Sequence, residues 1–467
     1  MADSPVTVNQ ISWRDLAPCL VIFRALPLAV TLTVLVLSLF AVAATPIGWI
    51  ALESLLVSES SELANDESFQ AAAQLNRSPW KLAYPQTMED TSILTIMGHQ
   101  LRGVELIFNT GIRSFSGVFS LDSGFRKFCY FLGGGIWTLF VWCFFGCAIT
   151  RTALMRYARE EPIGVDDACE FAFEKFFSCI GGIGLPLLGV FFFAIPIAGL
   201  GILMTTDMGV AIGGFFWILA LGLSLIMAFV LLVLMFAWPL IVSAISCEGQ
   251  DSFDGMSRAF AYVMQRPLNY FIYALIAVAF SGVCWLAATA LIGGTIQTAH
   301  WAASWGMNMF DANRSGTLAD PEEIRAAEFL RNPETATDLL RTTQQNAQSG
   351  ENIARPRQDS SPDLISESTQ NNELPSGNEL PGTLAFGKRM VRFWNHFMRT
   401  LGAAFLYGLF WCLAAAIYLL LRKDLDATEM DEVYLAEDRR TYELPPLKDD
   451  ASGVPQVDQS SESAGSD

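Results

Sequence analysis

The sequence predicts an all-α integral membrane protein with about six transmembrane helices, and three observations predict it. Of its 467 residues, 52% are hydrophobic and only 16% charged, where soluble domains carry roughly one quarter charged residues. The charges vanish from blocks long enough to cross a bilayer, which takes about 20 apolar residues. They gather instead between those blocks, and the net charge of −18 sits mostly in the extramembrane parts, above all after Lys423. No broad basic face appears, which excludes nucleic acid as a partner class. The expected partners are the lipid bilayer and other membrane proteins or a second copy of the chain.

Residues 1–24 form a mixed N-terminal segment. Residues 25–50 lack any charge and predict the first span. Ala41-Val42-Ala43 resembles a signal-cleavage site, but apolar sequence continues to Leu52, which favours an uncleaved anchor. Residues 51–127 are a polar, extracytoplasmic insert. Within it Ile93, Met97, Leu101, Val104, Phe108 and Ile112 share one helical face opposite Arg102 and Glu105. That is a surface helix or one packed on the bundle.

Residues 128–292 hold the membrane core. Its spans are Phe128 to Thr150, Phe176 to Met204 with Pro186 and Pro196 inside, Gly209 to Cys247, and Leu268 to about Leu291. The third of these is too long for one straight crossing and reads as a tilted or extended helix that Pro239 ends. Gly209-x3-Gly213 permits close helix contact. A sixth span, Thr400 to Leu421 within 388–423, is closed by Arg422 and Lys423. The intervening 333–387, rich in Ser, Asn, Gln, Thr and Pro, reads as a disordered loop, and 424–467 as an acidic disordered tail.

Two connections inside the core read as amphipathic elbow helices. After Glu248, Asp251 and Asp254, the residues Phe253, Met256, Phe260 and Met264 recur at helical steps and form one apolar stripe. Val165, Ala168, Ala172 and Phe176 repeat that stripe 88 residues earlier, with Asp166 on Asp254, which suggests a tandem span–elbow–span repeat. The short loops 151–175 and 247–267 carry Arg151, Arg156, Arg159, Lys175, Arg258 and Arg266, whereas the connection at Asp207 carries no basic residue. The excess of Lys and Arg places both elbows and both termini in the cytoplasm.

From Trp238 to Pro267 the sequence follows W-P-L-x-x-x-A-I-S-x-E-G-x-D-x-F-D-x-x-S-R-x-F-x-Y-V-x-x-R-P. This resembles a group of uncharacterised multispanning bacterial membrane proteins over about residues 128–292. More loosely it is similar to YciC-like proteins and to the membrane domain attached to some glycerophosphodiester phosphodiesterases. The resemblance implies a helical bundle with cytoplasmic elbows in a bacterial inner membrane, and no assigned activity.

One stretch carries ligand chemistry. Residues 311–322, within a segment 293–332 expected to hold an amphipathic helix and this loop, match a calcium EF-hand. Asp311, Asn313, Ser315, the carbonyl of Thr317 and Glu322 stand at the ligand positions, Gly316 at the turn, and Ala319 at the position where water ligates. The pattern predicts a weak Ca2+ site, with a plain structural turn as the rival reading. Elsewhere the ligand supply is thin. There are nine cysteines and three histidines, and Cys143-x3-Cys147 lies inside an apolar block, which suits packing better than metal. No phosphate-cradling loop, nucleophile elbow or HExxH occurs, and the spanning blocks hold no charged residue of the kind that marks ion-coupled transporters. The expectation is a non-enzymatic membrane scaffold or accessory protein, with a transporter or channel component as the alternative.

Overall fold

The computed structural model describes residues 18–56, 69, 73, 125–310, 382–434, 447–449 and 455–457. A 3-10 turn at Pro18–Arg24 leads into short helix α1 (Ala25–Ala29) and then α2 (Leu32–Leu56). Helix α3 (Phe125–Ala158), short α4 (Val165–Glu174), α5 (Phe176–Leu203), α6 (Asp207–Glu248), short α7 (Ser252–Gln265), α8 (Pro267–Phe310) and α9 (Gly382–Asp426) follow. A three-residue antiparallel pair, β1 (Leu447–Asp449) with β2 (Pro455–Val457), lies in the tail. Among the described residues six helices are long and apolar enough to cross a membrane: α2, α3, α5, α6, α8 and α9. This is the architecture of a multi-pass membrane protein.

The helices outrun the apolar blocks. Helix α8 runs to Phe310 rather than stopping near 291, and α9 begins at Gly382 rather than near 400. At 1.5 Å per residue the 42 residues of α6 reach about 63 Å. That is twice the ~30 Å hydrocarbon core, so the helix tilts or protrudes.

Pro239 does not end α6. It lies inside the helix, which continues to Glu248. An interior proline costs about 3 kcal/mol through its missing donor and ring clash. Here the following turns bury Leu240, Ile241, Val242, Ala244, Ile245 and Cys247 completely or nearly so, which offsets that cost.

Two compact units divide the chain. One gathers Met1–Ala64, Gly111–Ser281 and Phe405–Asp467; the other Asn65–Thr110 and Gly282–Ala404. In the first, the C-terminal half of α9 is the core element, with Tyr407, Leu409, Trp411, Cys412, Tyr418 and Leu421 buried. Helix α2 meets it where Val34 and Ser38 approach Gly408. Helix α3 meets it where Trp142 stacks on Tyr407 at 4.5 Å and the Trp411 ring fills the space over Gly146. Helix α6 contributes Trp238, stacked on Phe410 at 5.4 Å. Helices α2 and α3 are further joined by Trp49 Nε1 donating to Thr138 Oγ1 (3.2 Å) and Trp137 Nε1 donating to the Ala44 carbonyl (3.1 Å).

Helices α5 and α6 form a tight hairpin at Thr206, whose hydroxyl accepts from the Gly209 N–H (3.1 Å). Gly209 and Gly213 serve that turn: a Cβ on either would strike the Leu203 carbonyl or the Met204 side chain. Much of both helices presents large apolar side chains outward, among them Phe192, Ile195, Phe215 and Ile218. In the second unit, Asn395 on α9 contacts His300 on α8 at 3.0 Å.

Candidate functional site

The described residues bring one group of ionisable side chains together at one end of the first unit. The ends of α3 and α6, both short helices and the start of α5 meet there. The Arg151 guanidinium lies 4.4 Å from the Phe171 ring of α4 and donates to the Ser246 carbonyl of α6 at 3.1 Å. Gly181 and Gly182 of α5 approach Ser252 of α7. Both short helices therefore sit at the same end.

The face of α7 that packs against protein differs from the apolar stripe. Gly255, Ala259, Tyr262 and Val263 are buried, whereas Phe253 is 64% and Met264 50% exposed. Small residues win the packed face because α6 runs close beneath it; a Cβ at Gly255 would stand 2.5 Å from Ile245. Phe253 and Met264 are left facing outward on the neighbouring face, while Met256 and Phe260 of the same stripe are half-buried. In α4 the buried residues are Ala168, Phe171 and Ala172. Each lies 91 residues before Ala259, Tyr262 and Val263, and the ends Glu174 and Gln265 share that offset.

Glu248 is the centre of the cluster. It is the last residue of α6, and Gly249 stops the helix in a left-handed conformation (φ +63°) with its N–H on the Ile245 carbonyl. The Glu248 carboxylate, only 9% exposed, is reached by Arg258 Nη1 at 2.8 and 2.7 Å from its two oxygens. Tyr418 Oη donates to it at 2.7 Å, and Arg422 Nε stands 3.4 Å away. The last contact is an ion pair without hydrogen-bond alignment, since Arg422 Nε has no hydrogen-bond partner. Beside this group Tyr262 donates to Asp426, and Arg258 lies 3.9 Å from the same carboxylate. Burial, and then the Asp426 carboxylate, push the Tyr262 phenol above its ordinary range. Burial works against the Arg258 charge, but Glu248, Tyr418 and Tyr262 together outweigh it and the guanidinium is held more firmly protonated.

The tail returns to the same place. Past α9, residues up to Tyr434 form a strap held by main-chain contacts. The Tyr434 N–H donates to the Cys247 carbonyl (2.9 Å), and Arg151 Nη2 donates to the Tyr434 carbonyl (2.7 Å). Arg422 donates to the Glu432 carbonyl. The Tyr434 ring lies so close to Gly249 that a Cβ there would be 2.6 Å from it. A segment expected as disordered from 424 onward is thus placed as far as Tyr434. Beneath the strap lies a cavity of about 580 Å3 bordered by Arg159, Glu248, Arg258, Arg422, Asp431 and Glu432.

The sequence had marked Glu248, Asp254 and Arg258 as parts of one elbow. It had not joined them to Arg151, Tyr418, Arg422 or Tyr434, whose partners are distant in sequence. Two signals pointed there: Arg151 closes an apolar block, and Arg422 closes another. The calcium-loop residues Asp311, Asn313, Ser315, Thr317 and Glu322 lie outside the described residues, as does the amphipathic face from Ile93 to Ile112. Among the described residues no group of three or more His, Cys, Asp or Glu is placed to hold a metal ion. The cysteines are free.

No family model, curated protein or solved structure matches this chain.

Proposed function

We propose that the chain is a bacterial inner-membrane scaffold or accessory protein, with its termini and both elbow helices in the cytoplasm. The observation that carries this reading is the use made of charge. Glu248, Arg258 and Arg422 tie α6, α7 and α9 to one another at one end of the bundle, so its strongest polar interactions fix helices in place. The fixed helices leave apolar side chains facing outward on the elbows, Phe253 and Met264 on α7 and Phe173 on α4. Such faces suit the membrane boundary or the helix of a partner. The shared 91-residue offset of the two elbows supports their origin as a tandem repeat, in place of the 88-residue offset of the stripes.

The test pairs two measurements on the purified chain. Phe253→Ser with Met264→Ser should keep the wild-type melting temperature and lose co-purifying membrane partners. Substrate-dependent flux in reconstituted vesicles would replace the scaffold by the transporter alternative. The loop 311–322 is proposed as a weak calcium site on the opposite side. Weak extracellular sites of about 10⁻⁴ to 10⁻³ M are useful there. Calorimetric titration should show Glu322→Gln losing binding, because the twelfth position supplies two oxygens, and Asp320→Asn retaining it. Equal behaviour of the two variants would reduce the loop to a turn.

A further inference from the structure

The strap lies on the bundle as a separate peptide would. Just past α9 the chain turns at Ala427, whose left-handed backbone (φ +51°) is unfavourable for an L-residue. Residues 432–434, outside any helix, then form three hydrogen bonds through their main chain. The Glu432 carbonyl accepts from Arg422 and the Tyr434 carbonyl from Arg151, while the Tyr434 N–H donates to the Cys247 carbonyl. Val433 between them is buried, and the Tyr434 ring covers Gly249 with Lys175 Nζ 6.0 Å from its centroid. Extended peptides are recognised in this way, with affinity from the backbone and specificity from seated side chains. The receiving surface is incomplete without the strap. Arg151 is 6% exposed, so losing the Tyr434 carbonyl would strand a buried donor. The Cys247 carbonyl is one of the four that a helix end leaves without an internal partner. Charge divides along the same line. Around the cavity the bundle supplies Arg159, Arg258 and Arg422 against Glu248, three positive charges less one, a net +2; Asp431 and Glu432 of the strap supply −2.

We propose that the end of α6, with Arg151, Arg422 and Gly249, is a docking site for an extended peptide segment of a partner protein, and that residues 432–434 occupy it as an intramolecular ligand which that segment displaces. The partner segment carries the chemistry of the strap it replaces: an acidic residue, then an aliphatic and then an aromatic one, as in Glu432-Val433-Tyr434. Its carbonyls take over the Arg422 and Arg151 donors, its N–H the Cys247 carbonyl, and its aromatic ring the space over Gly249. Release is plausible on charge as well as geometry, because Asp431 and Glu432 are exposed and salt screens their attraction to the bundle. This deepens the scaffold reading and rests on it, giving the scaffold a regulated place to hold its partner. Peptide binding is read without reference to flux, so the two can fail separately.

The test titrates the purified full chain with a fluorescein-labelled, C-terminally amidated peptide of residues 427–434, read by anisotropy. Two variants free the site of its own strap: Val433→Asp, and Val433→Gly with Tyr434→Gly, which adds no charge. Both should bind the peptide at least about tenfold more tightly than wild type, since the unoccupied fraction of the site sets the apparent affinity. A peptide carrying the two glycine substitutions should not bind. Adding Gly249→Ala to a freed chain should weaken the true peptide, because the new Cβ would stand 2.6 Å from the tyrosine ring. No saturable binding to either freed chain overturns the proposal. So does equal affinity of wild type and freed chains, or equal binding of the glycine peptide. Wild-type dimers in mass photometry that Val433→Asp abolishes would mean that two copies exchange straps, and would overturn the intramolecular assignment.

Discussion

Replacing Glu248 by Gln is the perturbation with the largest consequence per atom changed. The amide keeps the shape of the side chain and an oxygen for the Tyr418 hydroxyl, but removes the charge opposite Arg422 and Arg258. The two pairs do not weigh equally. Arg258 is 40% exposed, so its pair is worth a surface value of about 0–1 kcal/mol. Arg422 is 11% exposed against a carboxylate 9% exposed, and breaking a buried pair by removing one partner costs about 3–5 kcal/mol. At roughly 2–4 °C per kcal/mol for a domain of 150–250 residues, the melting temperature should fall by about 6–20 °C. Asp426→Asn, which alters a carboxylate 39% exposed, should cost about 0–1 kcal/mol and serves as the control. Adding Arg422→Met to Glu248→Gln should recover much of the loss, because the stranded cation is then gone. Differential scanning fluorimetry of the four purified proteins reads all of this. A Glu248→Gln protein that melts with Asp426→Asn would refute the reasoning.

Other outcomes follow from the same end of the bundle. Gly249→Ala should strain the left-handed helix stop by about 1–2 kcal/mol and push the Tyr434 ring away, so that protease cuts the strap faster than in wild type. Gly255→Leu should unseat α7 from α6 and lower the melting temperature markedly, whereas Phe253→Leu, on the outward face, should leave it nearly unchanged. Tyr262 has a raised pKa in the folded state, so its stabilising share is complete below the ordinary tyrosine value near 10 and is lost as pH rises beyond it. Asp426→Asn should therefore flatten the loss of stability above about pH 10, measured against wild type.

The six apolar helices were legible because charge-free blocks of that length have few other uses. Their true lengths were not, since the ends of α8 and α9 mix polar and aromatic residues and are set by helix continuity. Pro239 misled because proline punctuation is local, whereas the turns after it pack on α3 and α5, where Ser246 meets Cys147 and Ile241 lies against Gly182. The face of α7 that packs on α6 was hidden for a related reason. Hydrophobicity found Phe253 and Met264, but close packing against α6 selects small side chains, and Gly255 and Ala259 carry little hydrophobic signal. Glu248 was visible as an acid beside a helix end. Its tie to Tyr418 crosses 170 residues of sequence, beyond the reach of any spacing rule.

The central claim, six spans with both elbows on the cytoplasmic face, is tested most directly by labelling engineered cysteines in intact cells with a membrane-impermeant maleimide. Asp166→Cys and Asp254→Cys probe the elbows, and Asp207→Cys the α5–α6 turn, each read against the parent chain with its own free cysteines. The account predicts that Asp207→Cys labels from outside, while both elbow positions label only after the membrane is opened. External labelling at Asp254→Cys or Asp166→Cys, or an Asp207→Cys protein that labels only after opening, would contradict it.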